Sequence, residues 1–157
     1  MTNAIPAAQP TPALAGTTPA ISEVLTANKA LLLASLAKVG ATRAVIDYSG
    51  SGDDGAIQSV CVEVLAGSAY DSSAAVNVFV VRSTFQGGAW SSRVALEEQE
   101  IDAALLEFAD RAVDRHHPGY CNGDGGEGEV IFCVADRSVR IEHRDFYTEC
   151  DNTDTEL

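Results

Sequence analysis

Glu97-Glu98-Gln99-Glu100-Ile101-Asp102-Ala103-Ala104-Leu105-Leu106-Glu107-Phe108-Ala109-Asp110-Arg111-Ala112-Val113-Asp114-Arg115 is the stretch from which the fold can be read. Ile101, Leu105, Phe108 and Ala112 recur at intervals of four, three and four residues, one face of an α-helix. Glu97, Glu98, Glu100 and Asp102 are placed in its first turns, where negative charge complements the backbone dipole. Arg111 and Arg115 lie at the far end, Glu107 and Arg111 form an i,i+4 pair, and Pro118-Gly119 stops the helix.

Upstream, a second apolar stripe runs through Val24, Leu25, Leu31, Leu32, Leu36 and Val39, with Ser22 as cap and Gly40 as stop. Between the two helices, Ala44 to Tyr48, Ile57 to Leu65 and Ala74 to Phe85 are rich in Val and Ile and read as strands. Val60, Val62 and Val64 share a face opposite Ser59, Cys61 and Glu63, and Val76, Val78 and Val80 share another. Gln86-Gly87-Gly88 reads as a turn, with a short fourth strand over Trp90 to Leu96. After the second helix, Glu129 to Ala135 and Ser138 to His143 form two strands joined at Asp136-Arg137. The expected order is α-β-β-β-(β)-α-β-β. That is an α+β domain, with a mostly antiparallel sheet of five to six strands covered on one face by two helices.

The chain has 157 residues, and 38 of them are Ile, Leu, Val or Phe, enough for one core. Residues 1–20 hold no charge and four of the five prolines, and read as a disordered Pro/Ala/Thr leader. A single domain is expected over 21–150, followed by an acidic tail over 151–157. Neither the basic start nor the apolar stretch of a secretory signal is present, so a cytoplasmic location is expected. With 10 basic against 23 acidic side chains, the net charge of −13 argues against binding nucleic acid through its phosphates, and against an anionic membrane. Cys61, Cys121, Cys133 and Cys150 form no C-x-x-C pair. Cys61 and Cys133 read as small apolar strand residues, and Cys121, beside a Gly-rich loop, as the one candidate reactive thiol.

Two Gly-acid segments stand out. One is Asp47-Tyr-Ser-Gly-Ser-Gly-Asp-Asp-Gly55 and the other runs from His116 to Glu129. Glycine supplies positive φ in turns and Asp or Asn caps turn amides, a structural use of these residues. The alternative is a hard-cation site for calcium or magnesium, drawn from Asp47, Asp53, Asp54, Asn122, Asp124 and Glu127. The first segment fails the EF-hand template, since Ser49, Ser51 and Gln58 stand where carboxylates belong. A further alternative is a small hydrolase using His116 or His117, although no H-E-x-x-H, nucleophile elbow or phosphate loop occurs. His143 shares strand parity with Val139 and Ile141 and reads as a packed histidine.

Charge is uneven along the chain. Residues 97–157 carry 17 acids and five bases, while residues 22–43 carry one acid and three bases. An acidic surface serves solubility in many proteins. The sharper reading is a non-catalytic interaction module with no cofactor, whose carboxylates stand where phosphates would stand in a basic groove. Its partner would be a basic nucleic-acid-binding protein or complex. The residues in view are Glu100, Asp102, Glu107, Asp110 and Asp114 of the second helix, with Asp124, Glu127 and Glu129 after it.

The stretch His117-Pro-Gly-Tyr-Cys-Asn-Gly-Asp-Gly-Gly-Glu-Gly-Glu129, with Phe132 and Val134-Ala-Asp136, resembles an uncharacterised family of small acidic bacterial proteins carried on plasmids and integrative mobile elements. Tyr48-Ser-Gly-Ser-Gly-Asp-Asp-Gly55 adds to the resemblance, which spans roughly residues 40 to 148. The family usually has Trp where Tyr120 stands, and Glu or Asp where Cys121 and Cys133 stand. Those departures weigh against an essential role for these cysteines or for a metal site at their positions. The resemblance brings no activity with it; it implies an accessory-gene setting in which inhibitors of host defence, of the CRISPR or restriction type, are common. Oligomeric state is left open.

Overall fold

The computed structural model describes residues 21–157, so the leader expected over 1–20 lies outside the described residues. Helix α1 spans Ile21–Lys38 and turns its apolar stripe inward, burying Val24, Leu25, Leu32, Leu33 and Leu36. Gly40, at φ +74°, ends it and starts β1. Strands β1 (Ala41–Ser51), β2 (Asp54–Val64), β3 (Ala75–Gln86) and β4 (Ala89–Glu100) follow, then α2 (Ile101–His116), β5 (Gly126–Cys133) and β6 (Ser138–Asp145). This is an α+β fold in the expected order. Residues 151–157 are exposed and outside any helix or strand.

The six strands divide between two antiparallel sheets rather than one. The larger has the order β2-β1-β5-β6; β3 and β4 pair only with each other. The fourth strand is as long as the third, since Glu97, Glu98 and Glu100 extend it in register to Ala75↔Glu100. Helix α2 therefore starts later than its charge pattern suggested, and only Asp102 acidifies its first turn. The alternation along Leu96–Glu100, with Glu97 and Gln99 half-buried between exposed neighbours, has the period of a strand, and the ladder with β3 prevails over the dipole preference.

The core lies between the helices and one face of the larger sheet. Ala44, Ile46 and Tyr48 of β1 and Val130 and Phe132 of β5 are buried against Leu32, Leu36, Leu105, Ala109 and Ala112. Phe108 meets Phe132 edge to face at 5.2 Å between centroids. Valines 60, 62 and 64 pack on this core as their parity requires, and a register shift near Gln58 brings Ile57 to the same side. The same parity puts Cys61 on the solvent face, where it is exposed, correcting its expected use as a buried apolar residue. A satellite cluster of Val24, Phe79 and Val94 fixes the root of the β3–β4 ribbon to α1. The buried Asn28 completes that junction: its amide donates to the Phe79 carbonyl at 2.8 Å and accepts from the Phe79 N–H at 2.7 Å.

Candidate functional site

The two Gly-acid segments are less loop-like than they read, and they touch. Asp47 to Ser51 and Asp54-Gly55 belong to β1 and β2, leaving a two-residue turn at Gly52-Asp53 with φ of +61° and +67°. Primed hairpin turns require that sign of φ. Gly126 to Glu129 likewise belong to β5, so the second turn covers only residues 117–125. Backbone sews the two together: the Gly52 N–H donates to the Gly123 carbonyl at 3.0 Å and the Asp53 N–H to the Cys121 carbonyl at 2.9 Å. A methyl group added at Gly50 would lie 2.7 Å from Cys121 Cβ, so bare backbone is needed where the turns meet.

Beneath this junction, three strands present Tyr48, Gly128 and His143 in one register row. A Cβ at Gly128 would lie 2.5 Å from the Tyr48 hydroxyl. The missing side chain lets that hydroxyl cross β5 to His143 Nδ1, at 2.7 Å. His143 Nε2 in turn meets Asp145 Oδ1 at 2.9 Å. Tyr120 closes on Tyr48 edge to face at 5.2 Å, and His117 stacks on His143 with centroids 4.1 Å apart. Asp145, His143 and Tyr48 form a chain of the kind that relays protons, but it ends on a phenol only 1 % exposed. Burial pushes the Tyr48 pKa up to about 12, so the group is a neutral hydrogen-bond donor near neutrality. Burial, then the neighbouring His143 and His116, lower the His117 pKa. This arrangement holds strands in place; its last polar atom faces no solvent.

The expected partner-binding acids fall on several surfaces. Asp102 accepts from the Tyr70 hydroxyl at the start of α2, with Glu100 exposed two residues before it at the end of β4. Glu107 is held by Arg111 at 3.0 Å, the expected i,i+4 pair. Glu127 pairs with Arg144, and Glu129 lies in register between Asp47 and Glu142, on the sheet face away from the helices. Asp110, Asp114 and Asp124 remain, and Asp53 and Asp54 of the hairpin join them. Asp54 and Asp110 both act on the Tyr120 phenol and raise its pKa, after burial and Cys121. Asp114 shares a groove with Pro118 of the second turn and with Ile21, Arg111 and Arg115, though neither arginine is within ion-pair distance of it. These five carboxylates are exposed, and among the described residues none makes an ion pair.

Of the candidate cation ligands, Asp47 accepts from Ser59 on the outer sheet face, and Asn122 packs its amide against Gly119. The hydrogen bonds named between the two turns run from backbone to backbone, and among the described residues no group of three or more His, Cys, Asp or Glu is placed to hold a metal ion. Among the same residues no helix is long and apolar enough to cross a membrane. Reading the sequence missed the Tyr48–His143–Asp145 chain and Asn28. Inward parity of Tyr48 with Ala44 and Ile46, and of His143 with Val139 and Ile141, was the available signal for the former.

A model described as a family of unknown function, DUF6878, matches residues 24–157. No curated protein and no solved structure matches the chain.

Proposed function

The chain belongs to the DUF6878 family, whose function is unknown, and from that premise we propose that it is a non-catalytic, acidic protein-interaction module. Its binding end is the junction of the two turns with the adjoining part of α2, where Asp53, Asp54 and Asp124 of the turns and Asp110 and Asp114 of the helix stand exposed and outside any ion pair among the described residues. That observation carries the reading. Carboxylates with no cation of their own are the ones available to a basic partner, and turns sewn by backbone hydrogen bonds fix much of their spacing in advance. Glu107 and Glu127, held by Arg111 and Arg144, contribute less. The partner is a basic nucleic-acid-binding protein, and the carboxylates occupy positions that phosphates would take. The finer form of the proposal makes that partner a host defence complex of the CRISPR or restriction type, met by an accessory protein of plasmids and integrative elements. The resemblance carried by the second Gly-acid segment supports this.

The test is affinity capture from host lysate at low salt with the full chain and with a variant carrying Asp53→Lys, Asp54→Lys and Asp110→Lys. The wild type should retain a basic nucleic-acid-binding protein, duplex DNA should displace it, and the variant should lose it. Equal retention by the variant, or no basic protein retained, overturns the proposal.

A further inference from the structure

The outer half of the β3–β4 ribbon packs against nothing in the described chain. Every residue from Arg82 to Arg93 is exposed. The ten residues Ser83 to Ser92 carry no charge, although the chain as a whole is at −13. At the end of this arm, Phe85 and Trp90 face each other across the strands, 5.4 Å between centroids, and are 56 % and 73 % exposed. A two-stranded ribbon is marginal in water without packing, and an aromatic pair at its tip is an anchor in search of an apolar seat.

The fold also contains a seat. A groove of about 360 Å³ opens between α1, α2 and β6, floored by Leu25, Phe108 and Ile141. Lys29 and Arg115 line it, no carboxylate does, and among the described residues neither cation makes an ion pair. Apolar floor and unpaired cations suit aromatic faces, which attract cations through the ring quadrupole. The arm is rooted on α1 and its Trp90 is exposed, so it does not fill the groove of its own chain. We propose that the arm of one copy docks in the groove of a second copy, with Trp90 as anchor. Each copy offers one arm and one groove, so the exchange can be mutual and close as a twofold dimer. An uncharged tip lets two strongly acidic chains meet without bringing carboxylates together.

Trp90 is the only tryptophan, so its fluorescence reports the docking directly. Sedimentation velocity and Trp emission are followed over a concentration series of the full chain. The expected result is a monomer–dimer transition accompanied by a blue shift of emission. Trp90→Ala should weaken the dimer by about 30-fold, the loss typical of a hot-spot aromatic. Thr26→Glu, at an exposed position on the groove wall, should block it by setting a carboxylate against the ring faces and engaging Lys29, while leaving the far-UV circular dichroism melt unchanged. A chain that stays monomeric with constant emission overturns the proposal, and so does a dimer unaffected by both substitutions.

Discussion

Gly128 is a position where one missing side chain decides what three strands can do. Tyr48 reaches His143 by crossing it, so Gly128→Ala sets a methyl group against both the phenol and the Glu142 carbonyl of β6, which would lie 2.2 Å from the new Cβ. Overpacking of this kind costs about 1–3 kcal/mol. Denaturant unfolding should show that loss; a Tyr48→Phe background should relieve only the hydroxyl's share of it, because the Glu142 carbonyl, 2.2 Å from the added Cβ, stands in the way in both backgrounds. The same phenol sets an alkaline limit. Its folded pKa, about 12, lies above the ordinary value of 10.0, so the folded state keeps a proton that the unfolded state releases first. Its stabilising contribution is full below pH 10 and is lost as pH rises toward about 12. Tyr48→Phe should make the fall in stability over that window less steep, leaving the share of Tyr70 and Tyr120, whose pKa values burial also raises. On the acid side the sign reverses: His117, with its pKa lowered, contributes stability above the unfolded value of 6.5 that falls away as it takes a proton. The sequence carries the parity of His143 with Val139 and Ile141, from which it reads as packed, and that of Tyr48 with Ala44 and Ile46, which was left unread. It could not reveal that Gly128 lies between them in register, because strand pairing is not written in any one strand.

At the scale of elements, legibility followed periodicity. Helix α2 was readable from Ile101 onward because four core residues repeat on one face. Its start was misplaced because Glu97, Glu98 and Glu100 satisfy the charge rule for a helix start while alternating as a strand. The division into two sheets was not readable, since no local pattern says which neighbour a strand will choose. The β3–β4 ribbon turns away from the larger sheet and is fastened to α1 by Asn28, a polar residue inside an apolar helix stripe. Asn28→Ala would remove both hydrogen bonds to Phe79 and leave a buried N–H and carbonyl unpaired. The expected cost is about 2–4 kcal/mol, from two buried groups losing their partners. Hydrogen exchange should quicken at the ribbon root, around Val78 to Val81, before it quickens in β1 and β5. Uniform acceleration across both sheets would mean that Asn28 supports the whole core rather than this junction.

For the whole molecule, a net charge of −13 sets the sign of every association with salt. The proposed complex with a basic partner draws on attraction between exposed carboxylates and cations, and on steering by the summed field. Screening shortens the reach of that field to about 10 Å at 0.1 M salt and less above it, so its on-rate should fall by tenfold or more between low and moderate ionic strength. The proposed self-docking draws on an uncharged aromatic tip and an apolar groove, and works against the mutual repulsion of two acidic chains. Screening removes that repulsion, so the dimer should tighten over the same salt range, with only the cation–aromatic part weakening. Stopped-flow binding to the captured partner and sedimentation of the chain alone, run in matched buffers, measure the two slopes separately. Opposite signs are expected because the acidic turn junction and the aromatic arm are distinct surfaces governed by different forces. If Trp90→Ala removed the partner complex as fully as the dimer, one surface would be serving both, and the carboxylates around the turns would lose their assigned role.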